Sequence, residues 1–156
     1  MKDLPKDPSA SKSRLRLWLR LLDATRLIES EIRENLRREH ETTLPRFDVM
    51  AALFRTQQGL KMSELSGRLR VSNGNVTGIV DRLVQENRIE RLPVPGDRRA
   101  MQVRLTAQGR ADFARMAEVH EGWINDILGE VTATDADTIA ETLRDVADRL
   151  DQRKPK

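Results

Sequence analysis

A chain of 156 residues is long enough for one domain with an added assembly element. At 38% apolar, 34% charged and 3% aromatic it reads as a helix-rich protein rather than a sandwich or barrel, and the absence of cysteine excludes disulfides, thiol nucleophiles and thiolate metal clusters. The net charge of +3 hides an asymmetry: from Leu44 to Arg110 twelve Arg or Lys stand against six Asp or Glu, whereas from Ala111 to Asp151 three stand against eleven, so a basic middle suited to a polyanion adjoins an acidic tail.

The opening "MKDLPKDPSASKS" has no secretory signal, and residues 1–12, polar and rich in Pro and Ser, read as a flexible arm. A cytoplasmic location is the default expectation. Residues 13–43 read as a long helix free of proline and glycine. In it Leu15, Leu17, Trp18, Leu19, Leu21 and Leu22 point almost all round the axis, and such a helix needs cover on every side. A second copy of the chain is the expected source of that cover. The cluster "LRLWLRLL" is interrupted by arginines and far too short to cross a bilayer, so no membrane partner is expected.

The middle, residues 44–110, has shorter elements and clear stop signals. "LPRFDVMAALFRTQQG" predicts a helix with Pro45 in its first turn, Phe47, Met50, Leu53 and Phe54 inward, and Gly59 at its close. "SELSGRLR" offers Ser63 as an N-cap with Leu65 and Leu69 buried; after Val71, Ser72 caps a further helix that Asn87 ends in a left-handed conformation. "RIERL" and "MQVRL" then predict two short strands joined by "PVPGDRRA", with Met101, Val103 and Leu105 on one face. Thr106 is the predicted N-cap of the next helix, whose stripe includes Phe113, Met116, Ala117, Ile124, Ile127 and Val131. Ile139, Leu143, Val146 and Leu150 follow 4-3-4 spacing, a narrow seam for a partner helix, so residues 111–156 are expected to dimerise together with 13–43.

The predicted fold is therefore mainly α: a winged helix-turn-helix with a small β-hairpin wing between long terminal dimerisation helices. The stretch "VSNGNVTGIVDRL" explains itself in that geometry. A major groove admits one helix whose outward side chains are small or hydrogen-bond to base edges. Ser72, Asn73, Asn75, Thr77, Gly78 and Arg82 are the candidate base and phosphate contacts, while Val76, Ile79, Val80 and Leu83 hold the helix to its core. Gly74 and Gly78 cost roughly 1 kcal/mol each in helix propensity, which suggests that close approach matters there. In the hairpin, Arg88, Arg91, Arg98, Arg99, Arg104 and Arg110 face only Glu90 and Asp97, and its arginine-rich tip suits a minor groove. The competing readings are a mediocre surface helix and a solvated basic loop.

The segment "PGDRRAMQVRLTAQG" resembles the wing of the multiple-antibiotic-resistance regulator (MarR) family, with Asp97, Arg99, Val103, Leu105, Thr106 and Gly109 at the positions of its pattern. "MSELSGRLRVSNGNVTGIVDRL" is similar to the family's recognition region, and the likeness extends from about Leu15 to Leu150. The resemblance implies a homodimeric repressor on double-stranded operator DNA, released by a small molecule. It also implies a wing held by pairing of Asp97 with Arg99, which leaves Arg98 presented to DNA. "TLPRFDVMAALFR", "VSNGNVTG" and "VHEGWI" look closest to the branch answering to aromatic acyl-CoA thioesters, which implies control of aromatic-compound catabolism by an aromatic acid or its CoA thioester. Trp18, Leu22, Met50, Phe54, Met116 and His120 would line the effector pocket, and Arg33, Arg37 and Arg38 would receive CoA phosphates; ordinary core and a solvated helix face are the bland alternatives.

His40 and His120 have no metal-binding spacing, and no phosphate loop, nucleophile elbow or paired catalytic carboxylates occur, so neither enzyme activity nor a bound cofactor is expected. Two other classes compete: a ligand-independent architectural DNA binder, indifferent to sequence, and a helical protein-interaction module without DNA affinity.

Overall fold

The computed structural model describes residues 8–69 and 73–153. Its first element, α1, runs Pro8–His40 and so begins before the expected boundary at residue 13. Proline is favoured in a first helical turn because its missing N–H had no partner there, and Ser, Ala and Lys continue the turn without strain. The part of the expected arm from residue 8 onward is thus helical; residues 1–7 lie outside the described residues. Among the described side chains of α1 only Ile32 and Leu36 are buried, while Leu15, Leu17, Trp18, Leu19 and Leu27 are exposed. The helix ends where Glu41 takes φ +49° and the Thr42 amide donates to the Leu36 carbonyl at 3.3 Å, a left-handed closure that here uses glutamate instead of glycine.

Helix α2, Leu44–Phe54, starts on Thr43, whose hydroxyl accepts from the Arg46 amide. It buries Phe47, Val49, Met50 and Leu53, with Phe54 half-buried. A two-residue strand, β1 (Leu60–Lys61), follows. No sequence signal had marked it. It forms because Gly59, at φ +93°, lets the chain approach the later strand so closely that a Cβ would stand 2.6 Å from the Val103 carbonyl oxygen. Pairing at Lys61 moves the start of α3 (Met62–Leu69) ahead of Ser63, so the expected serine cap lies inside the helix. The Glu64 carboxylate instead accepts from the Lys61 amide at 3.0 Å, the back-reaching half of a capping box.

Helix α4, Asn73–Gln85, ends as expected at Asn87, with φ +58° and the Arg88 amide donating to the Leu83 carbonyl. Ser72, its expected cap, lies outside the described residues. Strands β2 (Ile89–Val94) and β3 (Asp97–Leu105) form the hairpin through Pro95 and Gly96, the latter at φ +79°. They are longer than predicted, and the sheet has three antiparallel strands in the order β1-β3-β2. Ile89 pairs with Leu105 and Arg91 with Val103; the register shifts between Pro93 and Val94, near the tip. Val103 and Leu105 are buried, but Met101 stands beyond the core and is exposed.

Helices α2, α3 and α4 pack on one another and on the sheet around Leu36, Met50, Leu53, Leu65, Val76, Val80, Leu83, Ile89 and Val103, all essentially sealed from solvent. Each such side chain contributes about 1.5–3 kcal/mol on burial. Thr106 starts α5 (Ala107–Ile127): its hydroxyl accepts from the Gly109 amide at 2.9 Å and donates to the Asn87 carbonyl at 2.7 Å. The architecture is a winged helix-turn-helix with long terminal helices, as predicted. The chain divides into two compact units, Met1–His120 and Glu121–Lys156. In the second, α6 (Ala133–Asp151) begins on Thr132 and buries no residue of its own; Ile139, Leu143, Val146 and Leu150 are exposed along it. No helix among the described residues is long and apolar enough to cross a membrane.

Candidate nucleic-acid interface and effector cavity

Helix α4 divides cleanly by burial. Val76, Val80 and Leu83 are sealed inside, and Ile79 is half-buried. Gly74, Asn75, Thr77, Gly78 and Arg82 are exposed. The side chain of Asn73 lies outside the described residues. A Cβ added at Gly74 or Gly78 would meet nothing within 4 Å. Intramolecular packing therefore does not require either glycine, and a propensity cost of about 1 kcal/mol each stands uncompensated inside the fold. Thr43, the cap of α2, and Arg46 join Gly74, Asn75, Gly78, Ile79 and Arg82 around a shallow groove on this face.

Most arginines of the hairpin region are engaged within the fold. Arg91 pairs with Asp81, Arg88 with Asp112, and Arg104 with Glu90 at 2.6 Å. Arg110 lies 4.9 Å over the Phe54 ring and donates to the Phe54 carbonyl at 3.1 Å. Arg98 and Arg99 at the tip are exposed, and neither guanidinium has an ion pair among the described residues. The expected pairing of Asp97 with Arg99 takes a different form: the carboxylate accepts from the Arg99 backbone amide at 3.0 Å. An acceptor two residues before a free amide closes a local turn, so the carboxylate fixes the wing backbone and both guanidinium groups stay available.

The residues expected to line an effector pocket do not gather around a single cavity; Met50 and Met116 border one of about 220 Å³ together with His40, Arg46 and Arg88. Met50 and Met116 are buried; Phe54 and His120 are half-buried. The rings of Phe47 and His120 lie 4.8 Å apart, Phe47 and Phe113 5.2 Å, and Phe54 and Phe113 5.0 Å, a filled aromatic core. Burial pushes the His120 imidazole below its ordinary pKa, toward the neutral form. Trp18 is 57% exposed on α1, outside this cluster, and Leu22 is half-buried there. The arginine ladder is likewise matched: Arg33 with Glu29 at 3.5 Å, Arg37 with Glu34 at 2.6 Å, Arg38 with Glu39 at 2.8 Å. The Arg37 guanidinium holds the Glu34 carboxyl below its usual range.

A cavity of about 450 Å³ opens elsewhere, between α1, α2 and α4. Leu44, Pro45, Val49, Leu69, Val76 and Ile79 supply its apolar wall; Glu29, Arg33, Asp48 and Asn75 are its polar groups. Of these only Arg33 had been assigned to the effector. The missed signal was Asp48, the one acidic residue of α2. Asp48 keeps surface open to solvent while the walls shield its carboxyl; that burial pushes its pKa up, Glu29 adds to the rise and Arg33 opposes it. Asn75 lines both this cavity and the outer groove.

The model of the MarR family matches residues 42–101. A crystal structure of a MarR family transcriptional regulator from Silicibacter pomeroyi superposes with a TM-score of 0.72 at 30% identity, covering 90% of this chain and 97% of that one. A mutant MarR from E. coli, complexed with operator DNA, gives a TM-score of 0.72 at 26% identity over 86% of this chain and 95% of that one. The HTH-type transcriptional regulator PecS of Dickeya dadantii is 34% identical over 84 residues, 53% of this chain; the match spans about half of PecS, 51%.

Proposed function

The chain belongs to the MarR family, and on that premise we propose that it is a dimeric, ligand-responsive transcriptional regulator, a repressor that reads operator DNA. Helix α4 enters the major groove, with Asn75, Thr77, Gly78 and Arg82 toward the bases and phosphates. Arg98 and Arg99 on the wing reach the adjacent minor groove. Ser72 and Asn73 belong to the same reading surface by their position in the sequence. The observation that carries this reading is the outward face of α4: two glycines that no internal contact requires, flanked by hydrogen-bonding side chains, beside a wing whose free cations are all at its tip. The E. coli MarR complex with operator DNA supports it by likeness.

Exposed apolar residues on α1 and, separately, on α6 support assembly of two copies, whose recognition helices read half-sites about 34 Å apart. The effector is a small molecule with an aromatic or similar apolar body, and control of aromatic-compound catabolism is the corresponding reading of its regulated genes. The apolar wall of the cavity beneath α4 supports such a body. Its charge does not support the carboxylate or the CoA phosphates expected from the sequence.

Selection from a random duplex library tests the reading. It is expected to return a pseudo-palindrome bound by two copies of the chain. Equal recovery of all sequences would establish an architectural binder instead, and no recovery at moderate salt an interaction module.

A further inference from the structure

We infer that the cavity between α1, α2 and α4 takes an amphiphile that joins an apolar body to one cationic nitrogen, with the nitrogen against Asp48 and the body against Val49, Val76 and Ile79. This rests on the reading of that cavity as the effector site. Among the described residues three ionisable groups face the cavity, and Arg33 already lies 3.5 Å from Glu29. Those two nearly cancel, which leaves Asp48 as the uncompensated charge: among the described residues no hydrogen bond or ion pair reaches its carboxylate.

A carboxylate ligand would have to draw Arg33 away from Glu29, setting three anionic groups around one cation. A protonated nitrogen meets the opposite situation, because it offsets a carboxylate whose ionised form the walls disfavour. Among the described residues the neighbouring face of α4 supplies Asn75 as its polar group, which hydrogen-bonds to either kind of ligand. Asn75 also borders the outer groove. A ligand that holds it from behind competes with its base contact, and this couples occupancy of the cavity to release of DNA.

Calorimetric titration of the DNA-free protein at pH 7 with 1-naphthylmethylammonium, 1-naphthoate and 1-naphthalenemethanol tests the inference. The ammonium is expected to bind at least about tenfold tighter than the carboxylate, with the alcohol between them. Asp48→Asn, which keeps the shape of the side chain, is expected to bring the ammonium and carboxylate affinities within about threefold of each other. Glu29→Gln gives an independent check should Asp48→Asn fail to fold: freeing Arg33 shifts the preference toward naphthoate. Naphthoate binding as tightly as the ammonium to the unaltered protein overturns the inference. So does a ratio that survives whichever of the two substitutions folds, or no binding by any probe at millimolar concentration. Because no DNA is present, loss of this selectivity and loss of operator binding are separate results.

Discussion

Arg46 on α2 and Glu86, the residue after the end of α4, meet as a two-pronged ion pair across a sequence separation of 40, one prong measuring 3.0 Å. Glu86 also stands 3.6 Å from Arg88, and Arg88 pairs with Asp112 on α5. This run of charges ties the far end of the recognition helix to both α2 and α5. A reading helix must keep its angle to the duplex, and a planar guanidinium fork limits rotation more than a single contact does.

The pair has a defined pH signature. The hydrogen bond from Arg46 holds the Glu86 carboxyl below its ordinary range; burial opposes this, and the charges of Arg46, Arg88 and Arg82 add to it. A carboxyl with a depressed folded pKa contributes stability that is fully present above the unfolded value, about 4.3, and is lost as pH falls through the folded value. Arg46→Met, which keeps most of the alkyl stem, is expected to cost about 1 kcal/mol at pH 7, since Glu86 is more than a third exposed. It is also expected to flatten the acid limb of the curve. Urea midpoints at pH 7 and pH 3.5 measure both; an acid limb unchanged by the substitution removes Glu86 from this role.

The same substitution at two glycines is expected to act in opposite directions. A methyl group at Gly109 would overlap the Arg88 carbonyl, whose carbon would lie 2.8 Å from it, and both partners are backbone. Gly109→Ala is therefore expected to lower unfolding free energy by roughly 3 kcal/mol, as overpacking does when nothing can move aside. At Gly78 a methyl group meets open space, so Gly78→Ala is expected to raise stability by up to about 1 kcal/mol. Its DNA affinity is expected to fall, because the methyl group projects into the proposed groove contact. A Gly78→Ala protein that is more stable and binds DNA unchanged refutes the close-approach argument.

These examples show which features could be read before the fold was known. Thr106 and Asn87 were legible as cap and terminator because capping is local: a hydroxyl or a left-handed residue acts on its own turn. The inward set Val76, Val80 and Leu83 was legible from helical period alone. Strand β1 was not, because two residues carry no period and Leu60 pairs only once Gly59 has met Val103. The start of α3 was misplaced for the same reason. Period also says that Met50, Phe54 and Met116 turn inward without saying whether the interior is filled. The rings of Phe47 and Phe54 meet that of Phe113 there, and the larger cavity opens where α1, α2 and α4 fail to close. Charge counting found the basic middle; only the fold decides that Arg88, Arg91 and Arg104 are matched while Arg98 and Arg99 are not.

Phosphate contacts and base contacts are separable by substitution. Arg98→Ala and Arg99→Ala are expected to weaken binding to all duplexes alike, each lowering the slope of log affinity against log salt by about 1. Asp97→Ala frees the Arg99 amide, loosens the wing and reproduces part of that loss without changing the number of cations. Asn75→Ala is expected to cost about 1–3 kcal/mol on the selected operator and far less on scrambled DNA. Fluorescence anisotropy across a salt series on both duplexes separates the two behaviours. A sequence-independent effect of Asn75→Ala argues against base readout by that residue.

Assembly can be tested without disturbing the fold of either unit. Leu143 stands in the middle of the exposed seam of α6, four residues after Ile139 and three before Val146, and α6 buries nothing within the chain. Leu143→Asp therefore removes no intrachain core contact, and its thermal unfolding at low protein concentration is expected to match that of unaltered, dissociated protein. What changes is association, because a carboxylate placed between two apolar seams must be desolvated without a partner. Light scattering is expected to give the mass of one chain where the unaltered protein gives two. Operator binding then loses the gain from engaging both half-sites together, roughly 10²- to 10⁴-fold. A Leu143→Asp protein that remains dimeric shows that the seam of α6 is not the surface that holds the two recognition helices at their spacing.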